Sequence, residues 1–250
     1  MSRRICLLRD AFPARASFDT AISRALLLRA AAGELPEMLR LYRPDAIVAF
    51  GGRDRAADGF ADAVRAARAQ GFDAVLRLAG GRAAVFHEGT VALARAIPDS
   101  DPTSRTVARF EETSDLVASA LRTLGVDARV GEVPGEYCPG DHSVNIGGLR
   151  KLAGIGQRLV AGAAHLGGVV VVTGANRIRR VLDPVYAALR VEWDPATTGA
   201  IADEVAVEWE DVFDAIRAEF AARFEIEESA IDQETTALAE RLEADHRIPH

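Results

Sequence analysis

Arg77-Leu-Ala-Gly-Gly-Arg-Ala-Ala-Val-Phe-His-Glu-Gly-Thr90 is the stretch that decides the fold. It sets a glycine pair, Gly80-Gly81, between two short apolar runs, 75–78 and 83–87, which read as strands joined by a tight turn. Upstream, 39–42 and 46–50 read as two more strands, the second ending at Gly51-Gly52. Phe18, Ile22, Ala25, Leu26 and Leu28 fall at helical spacing and predict a helix over 18–33, stopped by Gly33. Residues 54–70 are predicted as one amphipathic helix closed by Gly71, and 104–124 as a long helix capped by Thr103 or Ser104 and ended by Gly125. Further strands are predicted at 129–133, at 143–146 and 151–157 (a hairpin turning at Gly147-Gly148), and at 167–173. Helices are predicted at 178–189, at 209–224 and, with a polar face, at 226–242. Short strands dominate the middle and helices flank them without strict β-α-β alternation. That pattern predicts an α+β fold with a mixed or antiparallel sheet. A boundary near 190 divides a main domain, 1–190, from a C-terminal helical extension, 191–250, packed on it.

With 250 residues, 49% of them hydrophobic, the chain can bury a substantial core. Thirty basic against 37 acidic residues, a net charge of −7, argue against a general nucleic-acid binder. No apolar run approaches the ~20 residues of a membrane span, and the opening Met1-Ser-Arg-Arg-Ile-Cys-Leu-Leu is too briefly apolar for a signal peptide. Cys6, expected in the core, and Cys138 lie far apart and form no disulfide framework, so a reducing cytoplasm is the expected compartment. The five histidines show no metal-ligand spacing with the cysteines, and no metal is expected. Gly51-Gly52 has the place of a dinucleotide turn but lacks the third glycine, and the chain has no GxxxxGK[ST] phosphate loop. A monomer is the default.

Two segments carry reactive side chains. Gly135-Glu-Tyr-Cys-Pro-Gly-Asp141 puts a thiol, Cys138, on a Gly/Pro-rich loop, and Lys151-Leu-Ala-Gly-Ile-Gly-Gln157 puts an amine on a glycine-rich segment. A thiolate can carry an acyl group, but a free thiol, with a pKa of about 8.5, is only a few per cent ionised near neutrality. A neighbouring ammonium favours the thiolate. Lys151 is expected to do this and then to steady an oxyanion or exchange a proton. Pro139 and Gly140 would fix the loop and leave its backbone N–H groups, which proline itself lacks, free to bind an oxyanion. His142 is too close to Cys138 in sequence to be taken as its base. The plain alternative is a small loop cysteine and a solvated lysine.

The segment 77–90 resembles the RRxxGGxxVxH signature of the lipoate-protein ligase, octanoyltransferase and biotin-ligase superfamily, with Leu76 where the first arginine stands. Lys151-Leu-Ala-Gly-Ile-Gly-Gln157 is similar to the same family's lysine segment, K-[IV]-x-G-x-x-Q, and the resemblance covers roughly 15–190. It implies a biotin/lipoate ligase-like catalytic domain whose sheet holds a medium-chain acyl group. Burying about seven carbons of an octanoyl chain is worth roughly 5 kcal/mol. The residues implied to bind substrate are Arg77, Gly80, Gly81, His87, Asn145, Gly154 and Gln157, with Cys138 and Lys151 as the catalytic pair.

Within that superfamily a cysteine just upstream of the lysine segment resembles the cysteine-dependent octanoyltransferase branch of amidotransferase type. This implies transfer of an octanoyl or lipoyl group, as a Cys138 thioester, to the lysine of a lipoyl-carrier domain, with no cofactor required. The implied partners are the glycine-cleavage H protein and the lipoyl domains of 2-oxoacid dehydrogenases. Asp183-Pro-Val-Tyr186 and Trp193-Asp-Pro195 resemble the transferase side, and Thr90-Val-Ala92 lacks the asparagine of the ligases. The first rival is an ATP- and Mg2+-dependent lipoate ligase working through an acyl-adenylate. The second is a non-catalytic module that binds carrier domains.

Overall fold

The computed structural model describes residues 3–249. Its elements in chain order are β1 (Arg3–Leu8), α1 (Ala16–Ala31), β2 (Met38–Tyr42), β3 (Ile47–Phe50), α2 (Gly52–Arg55), α3 (Phe60–Ala69), β4 (Asp73–Leu76), β5 (Ala84–Phe86) and β6 (Thr90–Pro98). There follow α4 (Thr106–Thr123), β7 (Ala128–Val130), β8 (Val144–Ile146), β9 (Arg150–Val160), β10 (Ala163–Val171), α5 (Ala175–Leu189), α6 (Trp209–Arg223), β11 (Phe224–Ser229) and α7 (Gln233–Leu242). Eight strands form one sheet in the order β11-β1-β2-β6-β10-β9-β8-β7, and β4-β3-β5 form a second. Pairing is parallel at β11/β1, β1/β2 and β3/β4 and antiparallel elsewhere. The architecture is the α+β, mixed-sheet class that the sequence predicts. Among the described residues no helix is long and apolar enough to cross a membrane.

Three apolar clusters hold the layers together. Ile5, Leu7, Leu39, Leu41, Val91 and Leu93 on one face of the large sheet pack against α4 and α6. Phe18, Ile22 and Leu26 of α1, with Ala239 of α7, pack on Leu8 and Met38. The small sheet packs with α3 and α5 through Val48, Phe50, Val64, Val181 and Val185.

Three departures from the sequence reading have local causes. β6 is unpredicted although it is central, paired on both sides by β2 and β10. Its residues, Thr-Val-Ala-Leu-Ala-Arg-Ala-Ile-Pro, are alanine-rich and interrupted by Arg95, a poor strand signal. Arg95 is fully buried because Glu37 (2.5 Å), Glu112 (2.9 Å) and Thr113 (2.7 Å) take its guanidinium. The single helix predicted over 54–70 is broken into α2 and α3. Gly59, at the break, has its α-carbon against the backbone of Ala188, where no side chain fits. The helix predicted over 226–242 is instead β11 followed by α7. Phe224-Glu-Ile-Glu alternates apolar and acidic residues at period two, and β11 adds in parallel to β1 along its whole length. Residues 191–250 are therefore not a separate helical extension, since they supply an edge strand of the main sheet.

The Arg95 cluster sets a stability test. Arg95→Leu leaves Glu37 and Glu112 with Arg3 alone, and Glu37 is buried. Denaturant unfolding should show a loss of about 3 kcal/mol, and an unchanged midpoint would contradict the burial argument.

Candidate active site

A cavity of about 570 Å³ opens between the small sheet, α4 and the middle of the large sheet. That volume is in the range of small-molecule sites. Its floor is the β9/β10 pair, where Gly154, Gly156, Gly167 and Gly168 line it and Gly156 stands directly opposite Gly167. Ala84 and Phe86 of β5, Thr106, Val107 and Phe110 of α4, and Ile155, Leu159 and Val169 make the walls largely apolar. The glycines permit close packing along this floor: a β-carbon at Gly156 would lie 3.1 Å from Ala79 Cβ, at Gly167 2.8 Å from His165 Nε2 and at Gly168 3.0 Å from the Gly154 carbonyl oxygen. At Gly154 a β-carbon would lie 3.0 Å from Lys151 Cε and 3.3 Å from its Nζ, so the lysine side chain takes that space.

Cys138 stands on the loop between β7 and β8 with φ of 43°, in the left-handed region that a non-glycine residue rarely adopts. Its surroundings over-determine that conformation. The Cys138 N–H donates to Tyr186 Oη at 2.9 Å, and Tyr186 donates in turn to the Ala83 carbonyl at 2.9 Å. The Cys138 carbonyl accepts from Lys151 Nζ at 2.8 Å. Sγ accepts from the Arg82 N–H at 3.3 Å and from Arg77 Nη2 at 3.4 Å, while Arg77 also donates to the Gly80 carbonyl. Burial works to raise the thiol's pKa, but the charges of Arg77 and Lys151 and the bonds from Arg77 and the Arg82 N–H outweigh it and hold the thiol below its usual value.

Lys151 is buried, and its three ammonium protons have three acceptors: Glu136 Oε1 at 3.0 Å and the carbonyls of Tyr137 and Cys138 at 3.1 and 2.8 Å. The two predicted catalytic groups thus share one cavity, but the amine grips the backbone of Cys138 and no hydrogen bond joins it to the sulfur. Arg77, expected only to bind substrate, is the cation at the thiol.

Gly80 and Gly81 form the turn opposite Cys138 and line the cavity. Gly81 has φ of 109°, and a β-carbon there would sit 2.8 Å from Cys138 Sγ and 3.1 Å from Arg77 Cζ. Gln157 lines the cavity, but its Oε1 accepts from Arg109 Nε at 2.7 Å and its Nε2 donates to the Thr106 carbonyl at 3.1 Å. These two bonds tie β9 to the start of α4.

Two predicted substrate contacts lie elsewhere. His87 does not line this cavity, because alternation along β5 turns Ala84 and Phe86 into it and directs His87 toward Gly89, Thr173 and Gly174. The interval from the second glycine of the pair to His87 is one residue longer than in the signature. Burial, with the Arg177 charge, pulls its pKa down to about 4, so the ring is neutral. Asn145 is also absent from the cavity lining. Its Nδ2 donates to the Gly131 carbonyl at 2.9 Å and its Oδ1 accepts from the Gly148 N–H at 2.8 Å, so it braces the β8–β9 turn.

Three supporting residues escaped the sequence reading. Glu136 is buried and accepts from Lys151, from Ser143 Oγ (2.5 Å) and from the N–H groups of Gly140 (3.1 Å) and Val133 (3.2 Å). The Gly140 N–H is thereby engaged and not free for an oxyanion. Tyr186 fixes the Cys138 N–H, and Arg82 supplies a backbone donor to the sulfur. Glu136 was readable only as a neighbour of Cys138, since nothing in a single chain distinguishes a buried glutamate from a solvated one.

The fold is that of the lipoate ligases. Lipoate-protein ligase A bound with ATP superposes with a TM-score of 0.76 at 23% identity, covering 98% of this chain and 95% of that one. The bipartite lipoate protein ligase of Thermoplasma acidophilum gives 0.72 at 21% identity, covering 98% and 92%. In sequence, the chain is 31% identical over 171 residues to the octanoyl-[GcvH]:protein N-octanoyltransferase of Geobacillus kaustophilus, covering 68% of this chain and 59% of that protein. The family described as the lipoyl protein ligase A/B catalytic domain matches residues 15–221. The chain belongs to that family. It spans about three fifths of the length of the Geobacillus relative.

Two measurements test this geometry. Arg77→Leu removes the cation that favours the thiolate, so alkylation of Cys138 by iodoacetamide should slow at pH 7 and recover as the pH rises through the ordinary thiol range. A rate unchanged at every pH would mean that Arg77 does not act on the sulfur. Gly81→Ala puts a β-carbon against both Arg77 and Sγ at a φ that alanine rarely adopts and should lower reactivity at Cys138 roughly 100-fold.

Proposed function

We propose that the protein is an acyltransferase that moves an octanoyl or lipoyl group through a Cys138 thioester onto the lysine of a lipoyl-carrier protein. The observation that carries this reading is a thiol held below its usual pKa at the edge of an apolar, glycine-floored slot. The match to an octanoyl-[GcvH]:protein N-octanoyltransferase supports an octanoyl-[GcvH] donor and a protein acceptor, and the acceptors in this reading are lipoyl domains. The acyl chain lies along the β9/β10 floor with its carbonyl at Sγ. The Cys138 thiolate attacks that carbonyl, the donor lysine leaves, and a thioester remains. The acceptor lysine then attacks the thioester and the thiolate departs. Exchange of one lysine amide for another is close to balanced overall, and the second half runs downhill from thioester to amide, so the cycle consumes no nucleotide. Arg77 steadies the thiolate as nucleophile and as leaving group, and the Arg82 N–H, aimed at the sulfur, is placed to donate to the oxyanion that forms beside it. Lys151 fixes the loop that presents the thiol.

Incubation with an octanoyl-loaded carrier and mass spectrometry tests the reading. An octanoyl adduct on Cys138 is expected, absent in Cys138→Ser, with transfer lost in that variant. Activity that requires ATP and survives Cys138→Ser would assign the adenylating chemistry instead. Stable carrier binding without any adduct would assign a binding module.

A further inference from the structure

Amide chemistry at Cys138 needs a proton carrier twice. A thiolate cannot expel an amine from an amide until that nitrogen is protonated, and an attacking amine must lose a proton before the new amide is neutral. Lys151 is directed elsewhere: its three donors go to Glu136 and to the carbonyls of Tyr137 and Cys138. Arg77 keeps its charge at any relevant pH and is engaged with the sulfur and Gly80.

We propose that His142 is the proton carrier, an acid to the departing donor lysine and a base to the arriving acceptor lysine. It is the one imidazole lining the cavity with Cys138 among the described residues. Its ring lies flat on Phe110, with centroids 5.1 Å apart and planes within 4°. Stacking fixes the plane of the ring, and neither ring nitrogen has a hydrogen-bond partner among the described residues. The titratable and charged groups sharing the cavity are Arg77, Tyr137, Cys138, Asp141 and Lys151, and α4 contributes none. Asp141 is exposed beside His142 and favours the approach of a lysine ammonium.

The steps balance. In the first half the thiolate forms the C–S bond, His142 gives its proton to the donor nitrogen, and the C–N bond breaks with its electron pair on that nitrogen. In the second, the acceptor lysine gives its ammonium proton to solvent, its neutral nitrogen forms the new C–N bond, the proton that nitrogen must then lose passes to His142, and the C–S pair returns to sulfur beside Arg77. His142 ends in the protonation state in which it began.

This inference rests on the thioester reading, and its test separates the two. p-Nitrophenyl octanoate acylates a thiol with a leaving group that needs no proton, and hydroxylamine clears a thioester without a base. His142→Phe preserves the stack on Phe110. It should give a p-nitrophenolate burst and hydroxylamine clearance within about twofold of the natural protein, which also reports an intact loop. Transfer from that acyl-enzyme to an unmodified lipoyl domain, and acylation by an octanoyl-lysine carrier, should each fall roughly 100-fold. Amine transfer at the natural rate in His142→Phe overturns the role of His142 alone. Equal losses with hydroxylamine and with lysine also overturn it, because they mark a displaced loop. Absence of a Cys138 adduct in the natural protein overturns the thioester reading itself.

Discussion

The buried ion pair between Glu136 and Lys151 is the constraint on which the site depends. Neither side chain is at home in an apolar interior alone, and removing either partner of such a pair typically costs about 3–5 kcal/mol. Together they solve a backbone problem. Glu136 offers only acceptor oxygens and receives four donors, from Lys151, Ser143, Gly140 and Val133. Lys151 offers only donors and finds three acceptors, two of them loop carbonyls. Every bond except that between the two charges runs to the segment 133–143, so the pair works as a fastener for that loop. It holds Cys138 at a φ that an unrestrained cysteine avoids, and the thiol's direction follows from it.

The slot depends on the fastened loop and on the glycines of the β9/β10 pair, where neighbouring groups pack too closely for a β-carbon. Four glycines line the cavity, whose walls include Phe86, Phe110, Leu159 and Val169. Glycine weakens a strand by its entropy and its lack of packing, and the long register of β10 with both β6 and β9 compensates. The same interval of Lys151-Leu-Ala-Gly-Ile-Gly-Gln157 therefore serves two ends of one structure. Its first residue fixes the loop, its glycines line the slot, and its last residue anchors α4 over the slot through Thr106 and Arg109.

This division of labour explains how much the sequence disclosed. Cys138, Lys151, Gly80, Gly81 and Gly154 were singled out because their segments resemble the family's motifs, and the structure brings all five to one cavity. The mixed sheet was legible because the short strands lacked β-α-β alternation. Legibility failed where a side chain's meaning depends on a partner distant in sequence. Arg95 hid β6, since an arginine inside a strand reads as solvent-facing until Glu37 and Glu112 are known to meet it. Phe224-Glu-Ile-Glu reads as helix or strand equally until β1 is there to pair with it. His87 and Asn145 were assigned by motif, and their directions are set by strand alternation and by the turn that each one caps or braces.

The separation of the two cations near the thiol has a chemical logic. A thiolate must be stable enough to form and to leave, yet nucleophilic enough to attack, and nucleophilicity falls as the pKa falls. A lysine ammonium placed directly on the sulfur would be a compact, mobile charge that could also compete for the acyl group as an amine. In this chain the amine is removed from that competition by Glu136 and two carbonyls. The charge felt by the sulfur comes mainly from a guanidinium, which is not an effective nucleophile, cannot lose its proton in this setting and is itself held by the Gly80 carbonyl. In the proposed cycle the sulfur is then the acyl acceptor at the edge of the slot, while the nearby amine is engaged with Glu136 and the loop carbonyls.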